Sequence, residues 1–452
     1  MKSALTFLLL LLLFNSCTTS EEPISPDVVQ PYPSDNVYDE FNHWVYYQMN
    51  EQYLWREDLP DSLDCDYNLP PRDFFKSLLS DKDRFSYFTI NQSYKGSRST
   101  ENNSNLGFEY QTMQDHNGNQ WLYVLYVYGN YAKQMRIKRG DLLKEVSCGT
   151  FKKAHIVGNE IKGLTPQEIR LGFNIGIEKN SVLLDSIYDI DNKSIGYLCY
   201  LEYSDIEDLI VPLSKFASLR IDELILDLRY NPGGYVSTCK FLCNCIVQSW
   251  NYGNIFQICS YNNRLSKKNL FETGSELSYS YFNDLPQLGE EVLGEYPIIP
   301  LDLDKIIVIT SSHTASASEA TIVCLKPYIN VVTIGGQTVG KGVGSWLISN
   351  PKYQYAIQPI TMRYYNSLME TTPDEGIIPD LYVEDSYSGN VKDIGDINER
   401  LLKIALAHIK GEALQSNIAT RSLNIEIDNS LTPIGEPSYV TEFNNKHYNE
   451  SN

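Results

Sequence analysis

From residue 195 onward, short apolar runs alternate with stretches of helical periodicity, and this alternation constrains the fold more than any other feature of the chain. Apolar strands that alternate with helices predict an α/β domain whose sheet is covered by helices. The four apolar runs are Ile195–Leu201, Leu224–Leu228, Ile306–Ile309 and Val331–Ile334.

A serine follows the third run in a setting that suits a nucleophile. After Ile306–Ile309 comes a polar turn with the sequence TASASE, and the residues from Glu319 to Leu325 predict a helix. A turn from strand to helix can expose a hydroxyl beside the free amides of the helix start. Ser316 in this turn is therefore a candidate nucleophile, although a serine before a helix is also a common N-cap.

A lysine occupies the corresponding place after the fourth run. Lys341 lies in the glycine-rich sequence GGQTVGKGVGS, which follows Val331–Ile334. A serine hydroxyl needs a base, and a lysine can serve as one where its surroundings are dry. Gly335, Gly340 and Lys341 also fit half of a phosphate-binding loop, but Gly342 stands where that motif needs serine or threonine for the metal.

The N-terminal residues predict export. Lys2 precedes an apolar core from Leu5 to Phe14, and Asn15, Ser16 and Cys17 follow. This order predicts a lipoprotein signal peptide with Cys17 as the acylated N-terminus, with plain secretion as the alternative. No other segment has the uninterrupted apolar length of a membrane span, so we expect membrane attachment only through this lipid. Export also argues against a cytoplasmic nucleotide as ligand.

Composition excludes several classes of partner and cofactor. The chain carries 57 acidic and 37 basic residues, and a formal charge of −20 would be repelled by nucleic acid. Eight cysteines besides Cys17 lie mostly in apolar surroundings, which favours buried thiols over a disulfide framework. The six histidines form no H-E-x-x-H or similar cluster. We therefore expect no metal and no other cofactor.

The length predicts several domains. Residues 18–34 are rich in proline, serine, threonine and glutamate, which suits a flexible tether. The predicted order is a signal peptide at 1–17, the tether at 18–34, a helical domain at 35–83, a small β-rich module at 84–190, a catalytic domain at 191–410 and a C-terminal extension at 411–452.

Three motifs in a fixed order give the chain a family resemblance. It resembles the C-terminal processing, or tail-specific, serine peptidases of family S41, and in particular lipoprotein members from Bacteroidetes-type bacteria. The resemblance implies a ClpP-like or crotonase-like core of β-β-α units preceded by a PDZ-like module that would hold Arg139, Gly140 and Asp141. The motifs are DLRYNPGG at 227–234, TASASE at 314–319 and GQTVGKG at 336–342, with further likeness in KDRFSYF at 82–88 and GIIPD at 376–380.

The resemblance also implies a role for each site residue. Ser316 would be the nucleophile and Lys341 the general base. The amide of Ala317 and that of Gly233 or Gly234 would form the oxyanion hole, because residues without a side chain let a backbone donor face the substrate. Glu319 matches an acid of the family that would orient the site, or else it is an ordinary acid of a first helical turn.

Two positions depart from the family pattern. Pro327 stands where some members have an acid, and Ser345 stands where others have a glutamine four residues after the lysine. The group that orients Lys341 is therefore open, with Ser345 as a candidate because its hydroxyl can donate or accept one hydrogen bond. His313 is an alternative base.

The resemblance implies a serine endopeptidase that cleaves proteins or peptides at or near unstructured C-terminal regions through an acyl-enzyme. The alternative is an inactive surface lipoprotein of the same fold that binds peptide or carbohydrate. We expect a location in the cell envelope, on the periplasmic or the outer face of the outer membrane. The acidic run after Cys17 resembles the signal that sends such lipoproteins to the outer surface. The sequence predicts no particular oligomeric state.

Overall fold

The structure is a computed structural model of the 452-residue chain. The predicted signal peptide at 1–17, with Cys17, and the predicted tether at 18–34 lie outside the residues that it describes. Within the described residues, no helix combines the length and the apolar character that a membrane crossing needs. The described residues are 38–90, 106–157, 160–171, 180–265, 277–283, 296–385, 391–412 and 431–439.

The N-terminal region is helical, as the sequence predicts. It contains helix α1 (Asp39–Gln52), helix α2 (Pro71–Ser77) and strand β1 (Tyr87–Ile90). Two acidic residues in the first turn of α1 suit the positive end of its dipole, and α2 starts on a proline, whose missing amide hydrogen costs nothing there. The two helices share an apolar core of Phe41, Val45, Met49, Phe74, Phe75 and Leu78.

A small β-rich module comes next. Its first two strands form an antiparallel hairpin, and the Asp115 carboxylate accepts the amides of Asn117 and Asn119 in the turn between them. Its own apolar core is small and is centred on Phe108, Val124 and Phe151. The elements are β2 (Phe108–Gln114), β3 (Gln120–Val127), α3 (Asn130–Gln134), β4 (Leu142–Ser147), β5 (Thr150–Val157), β6 (Glu160–Leu164) and β7 (Ile169–Arg170).

The remainder of the described chain forms the α/β core and one terminal strand. These elements are β8 (Val182–Ile190), β9 (Lys193–Tyr200), α4 (Glu207–Leu219), β10 (Glu223–Asp227), α5 (Val236–Ile246), β11 (Ile255–Tyr261), β12 (Leu277–Tyr281), β13 (Lys305–Thr310), α6 (Ala317–Leu325), β14 (Asn330–Gly335), β15 (Val343–Ser345), β16 (Ile348–Ser349), β17 (Tyr355–Gln358), β18 (Ile360–Tyr365), β19 (Leu381–Tyr382), α7 (Arg400–Ile409) and β20 (Thr432–Pro433).

A six-stranded sheet lies at the centre of the core, in the order β19, β14, β13, β10, β9, β8. Every neighbouring pair is parallel except β8 with β9. Central parallel strands are covered on both faces, which explains why the apolar runs are continuous rather than alternating. The four runs from the sequence are strands β9, β10, β13 and β14, so the predicted α/β fold is confirmed.

Alternate residues of these strands pack on opposite faces of the sheet. Leu224 and Leu226 of β10 pack with helices α4, α5 and α6, whereas Ile225 packs with helix α7 and the β-rich module. Trp121 of β3 lies in this second layer and is buried. The module is therefore attached to the core by a shared apolar interface.

Strand pairing crosses the predicted domain limits in three places. Strand β8, which lies within the predicted module at 84–190, pairs with β9 of the central sheet across the two-residue turn Asp191–Asn192. Both turn residues have positive φ, as a type I′ hairpin requires. Strand β1 pairs with β17 of the core, and residues 431–439 lie on the module. These pairings place β8 in the core and bind the N-terminal region to it.

A buried ionic network connects the module, the central sheet and helix α7. The Arg229 guanidinium, which is fully buried, donates to the carboxylates of Asp227 at 2.8 Å and of Glu399 at 2.9 and 3.0 Å. Arg139 of the module donates to both oxygens of Asp385 at 2.7 Å. Tyr230 lies between the two halves, since it donates to Asp385 and accepts from Arg139.

The charges in this network balance one another. Burial by itself would raise the pKa of Asp385, but the guanidinium groups of Arg139 and Arg229 outweigh it and lower that pKa to about 2. Burial would also raise the pKa of Glu399, but the Arg229 guanidinium outweighs it and lowers that pKa. Each group is stable in its charged form only because its partners are present, so the loss of one partner is costly.

We predict that Glu399→Ala lowers the free energy of unfolding by about 3–5 kcal/mol, because it leaves the buried Arg229 charge without one of its carboxylates. Urea denaturation followed by circular dichroism measures the change. Lys403→Ala, on the exposed face of the same helix, is the matched control and should change little. Equal stabilities of the two variants would contradict this account of the network.

Candidate active site

Three loops at one edge of the central sheet bring the predicted site residues together. The loop after β10 carries Asn231–Gly234, the loop after β13 carries Ser316, and the loop after β14 carries Lys341. These strands are parallel neighbours, so their carboxyl ends lie side by side. The order of the strands thus explains why three motifs separated in sequence meet in space.

Ser316 has an unusual backbone conformation. It lies between β13 and α6 with φ 54° and ψ −115°, a region that residues with a side chain rarely adopt. Its Cβ lies against the backbone of Gly233, where a side chain in place of the glycine would put its own Cβ only 2.8 Å away. The turn therefore projects the serine at the start of a helix, and the glycine makes the space that this needs.

The Glu319 carboxylate joins the serine loop to the lysine loop. It is fully buried, and one of its oxygens accepts the amides of Ser316 at 2.9 Å and Lys341 at 2.8 Å. The other oxygen accepts the Gly340 amide at 2.7 Å and the Thr338 hydroxyl at 2.5 Å. Burial raises the pKa of Glu319, and the four hydrogen bonds oppose that rise. Glu319 thus fixes the main chains of both predicted catalytic residues.

Tyr364 of β18 connects the same two residues from another side. Its buried hydroxyl lies 3.2 Å from the Ser316 carbonyl oxygen and 3.0 Å from the Lys341 carbonyl oxygen, within hydrogen-bonding distance of both. Burial raises the pKa of this hydroxyl, so it remains a neutral donor. The serine and lysine loops are therefore held by two separate contacts.

The N-terminal region contributes to the surroundings of Lys341. The Arg84 guanidinium donates to the carbonyl oxygens of Gly340 at 3.1 Å and of Asp374 at 2.7 Å. The next residue, Phe85, has its ring centroid 5.5 Å from the Lys341 ammonium nitrogen. An aromatic ring at this distance attracts an ammonium group through its π face. Lys341 itself is half-buried.

The two glycines of the NPGG sequence have different hydrogen-bonding environments. The Gly233 amide donates to the Asn231 side chain at 2.9 Å, and its carbonyl accepts the Tyr203 amide at 2.8 Å. Within the described part of the chain, the Gly234 amide has no acceptor. The same holds there for the amide of Ala317, the first residue of helix α6. Two amide donors at the edge of the site are thus without a protein acceptor.

Ser345 lies in β15 and accepts a hydrogen bond from the Gln358 side-chain amide at 2.9 Å. The Gln358 side-chain oxygen in turn accepts the Tyr87 hydroxyl of β1. Gln358 and Tyr87 are opposite each other in the β1–β17 pair. A glutamine from a strand of another sheet therefore lies against Ser345, the position at which the family resemblance led us to expect a glutamine.

His313 contacts residues near the C-terminus. Its imidazole lies 3.9 Å from the Glu436 carboxylate and makes an edge contact with the Tyr439 ring at 5.7 Å. Burial lowers the pKa of His313, and the carboxylate partly opposes this shift. These contacts give the histidine a partner other than the serine.

Among the described residues, no group of three or more His, Cys, Asp or Glu side chains is placed to hold a metal ion. The cysteines there are thiols, and most of them are buried. Burial raises the pKa of Cys239's neighbours Cys243 and Cys324, so these thiols stay protonated.

Several residues around the site could not be chosen from the sequence. Arg84 and Phe85 lie far from Lys341 in sequence, and Gln358 is the last residue of the short strand β17, which has no distinguishing pattern. The likeness of KDRFSYF to the family was the available signal for the first two. Tyr364, one of 33 tyrosines, had no distinguishing neighbour in the sequence.

Comparison with known proteins gives matches over the same regions. The family described as "Peptidase family S41" matches residues 194–383, and that described as "Peptidase S41 N-terminal domain" matches residues 40–87. A carboxy-terminal-processing protease of Bartonella bacilliformis is 27% identical over 228 residues, which cover 48% of this chain and 45% of that protein. The matched part thus spans less than half of that relative's length.

A crystal structure of a putative S41 protease from Bacteroides fragilis has the same fold. It aligns with a TM-score of 0.65 and 21% identity over 84% of this chain and 98% of that one. The two family matches together cover more than half of the chain and include all three loops of the site. On these grounds, the chain belongs to peptidase family S41.

Proposed function

We propose that this protein is a serine endopeptidase that cleaves protein or peptide chains, with Ser316 as nucleophile and Lys341 as general base. The observation that carries the proposal is that one carboxylate, that of Glu319, accepts the amides of both residues. The strained conformation of Ser316 supports it, because such strain is retained where function needs it.

The chemistry follows from these two groups. The neutral Lys341 amine takes the proton of the Ser316 hydroxyl as the oxygen attacks the carbonyl carbon of the scissile amide. The tetrahedral intermediate collapses to an acyl-enzyme while the protonated lysine gives its proton to the leaving amine. Water, deprotonated by the same amine, then attacks the ester carbonyl carbon. As this second tetrahedral intermediate collapses, the protonated lysine returns the proton to the Ser316 oxygen, and the acid leaves. The cycle requires no metal and no cofactor.

We assign the oxyanion hole to the amides of Ala317 and Gly234. The Gly233 amide is already engaged by Asn231, whereas the other two have no acceptor within the described residues. The Gly233 carbonyl points at the Tyr203 amide, and the N–H of a trans peptide points the opposite way from its C=O. The Gly234 amide is therefore directed away from Tyr203. Gly233 serves by leaving room for Ser316.

Phe85 and Ser345 would support the lysine. The ring of Phe85 lies 5.5 Å from the ammonium nitrogen and would hold the lysine side chain in place. Ser345 lies four residues beyond Lys341 and is held by Gln358, so we propose this pair in place of the family's glutamine.

We further propose that the substrate is bound through an unstructured segment, by the β-rich module, which would be the PDZ-like module of the family. The position of the module supports this. Arg139 of the module is linked through Asp385 and Tyr230 to the loop that carries Gly234. An extended chain bound beside this linkage would lie close to the three loops.

The envelope location is also part of the proposal, with Cys17 as the lipid-bearing residue. Two or three acyl chains bind a membrane stably through many buried methylene groups. We predict that the full-length protein partitions into the detergent phase of a cloud-point separation and that Cys17→Ala moves it to the aqueous phase. Cys148→Ala, at an exposed cysteine, is the control and should not change partitioning.

We predict that Ser316→Ala and Lys341→Ala each abolish cleavage of an unfolded test protein by the chain lacking residues 1–17, because the first removes the nucleophile and the second its base. Gel analysis over time measures the loss. Ser312→Ala and Lys326→Ala, at exposed positions nearby, are the controls and should retain activity. Cleavage that survives in Lys341→Ala would favour His313 as base, and no cleavage by the wild type would favour a binding protein.

A second variant tests the role of the buried carboxylate. Glu319→Gln replaces one oxygen with an amide group that faces amide donors, so the two loops should shift apart. We predict a fall in kcat of about 100-fold, since a displacement near 1 Å can cost this much. Labelling of Ser316 by a fluorophosphonate should slow in parallel. Glu375→Gln, at an exposed carboxylate, should react like the wild type.

A further inference from the structure

Residues 431–439, near the C-terminus, lie along the outer edge of the β-rich module. Strand β20 pairs antiparallel with β2, with Thr432 opposite Gln114 and Pro433 opposite Met113. The other edge of β2 is taken by β3, so this segment completes the sheet on its open side. We call residues 431–439 the terminal segment.

Hydrogen bonds continue the pairing beyond β20. The Ile434 amide donates to the Thr112 carbonyl at 2.9 Å, and the Gln111 side-chain amide donates to the carbonyls of Ile434 and Gly435 at 3.1 Å. Further along, the Tyr110 amide donates to the Ser438 hydroxyl at 2.7 Å. That hydroxyl donates to the buried Glu109 carboxylate. The terminal segment thus runs antiparallel to β2 from its end back to its beginning.

This arrangement is the one by which a separate extended peptide adds a strand to a sheet. Main-chain hydrogen bonds supply sequence-tolerant affinity, and side-chain contacts supply the selectivity. The terminal segment is separated from helix α7 by residues 413–430 of the sequence. It therefore behaves toward β2 as a ligand that is held in the same molecule.

One aromatic side chain anchors the terminal segment beside the active site. Tyr439 is 3% exposed, and its ring lies 5.5 Å from that of Tyr230 and 6.2 Å from that of Tyr126. Tyr230 directly precedes the sequence that carries Gly233 and Gly234. His313, three residues before Ser316, contacts both Glu436 and Tyr439. The terminal segment thus reaches from the module edge to two of the three catalytic loops.

We propose that the terminal segment is a built-in competitor for the substrate segment, because it occupies the edge of β2 at which an extended peptide, with an aromatic side chain in the place of Tyr439, would pair. A substrate segment must displace residues 431–439 before it can pair with β2. Displacement also removes Tyr439 and Glu436 from Tyr230 and His313. The effect of the terminal segment on cleavage rests on the proposed peptidase function, whereas the docking of a peptide does not require catalysis.

A reversible cross-link tests the competition in the full-length chain. Gln114 and Thr432 are directly opposite, and cross-strand neighbours are close enough for a disulfide. In a Ser316→Ala background, Gln114→Cys with Thr432→Cys would lock the terminal segment when oxidised and free it when reduced. The probe is a fluorescent peptide with the sequence of residues 431–440, and its binding is followed by anisotropy.

We expect the oxidised protein to bind this peptide at least about tenfold more weakly than the reduced one, because a locked ligand cannot be displaced. Thr432→Cys alone is the matched control and should bind equally in both states. Equal binding by the oxidised and reduced double variant would overturn the proposal. In the double cysteine variant that retains Ser316, the same oxidation should slow cleavage of an unfolded protein, and reduction should restore the cleavage.

Tyr439→Ala provides a second test that needs no disulfide. Loss of the buried ring should weaken the terminal segment and raise the affinity for the added peptide by about tenfold or more. Tyr382→Ala, at an exposed tyrosine, should leave peptide affinity unchanged. An unchanged affinity in Tyr439→Ala would contradict the competition. Because both binding tests work without turnover, a failure of catalysis would not be mistaken for a failure of docking.

Discussion

The Glu319 carboxylate is the contact on which the geometry of the site depends. A buried carboxylate is costly unless its charge is met by donors, and here four donors meet it from two loops. The two loops cannot separate without leaving this charge unsatisfied. The buried carboxylate therefore restrains the positions of both loops. This restraint fixes the positions of the Ser316 and Lys341 main chains relative to each other.

A second set of buried charges extends this restraint to the rest of the molecule. Arg229 and Arg139 hold Asp227, Asp385 and Glu399, which come from the central sheet, the segment after β19 and the start of α7. Buried ion pairs are a weak source of net stability but a strong source of positional specificity, since no other arrangement satisfies the charges. The β-rich module and the catalytic loops are thus fixed relative to each other through Tyr230.

Local patterns in the sequence were enough to predict the strands of the central sheet, and the family resemblance supplied the candidate site residues. Continuous apolar runs mark strands that are covered on both faces, and the loops after such strands meet at one edge because the strands are parallel. The adjacency of Ser316, Lys341 and the glycines was therefore predictable. The type I′ turn at Asp191–Asn192 was also present in the sequence, and it indicates that β8 belongs with β9.

Other contacts depend on partners that no local pattern identifies. Arg84 meets Gly340 across 256 residues, and Tyr110 meets Ser438 across 328. Such pairs are selected by tertiary packing, and β20 is too short to have a periodicity of its own. Gln358 also comes from a distant part of the fold. It lies in a separate strand and donates to Ser345, the position at which the family resemblance led us to expect a glutamine.

The pairing of β1 with β17 has a consequence for when the site can exist. Residues near position 85 are synthesised early, yet the loop that they cover is synthesised more than 250 residues later. Contacts of such long range form late in folding, after loop closure has been overcome. The surroundings of Lys341 are therefore completed only once residues 340–374 have been made and have folded against the N-terminal region. A chain that has not reached this point carries the serine turn without these contacts.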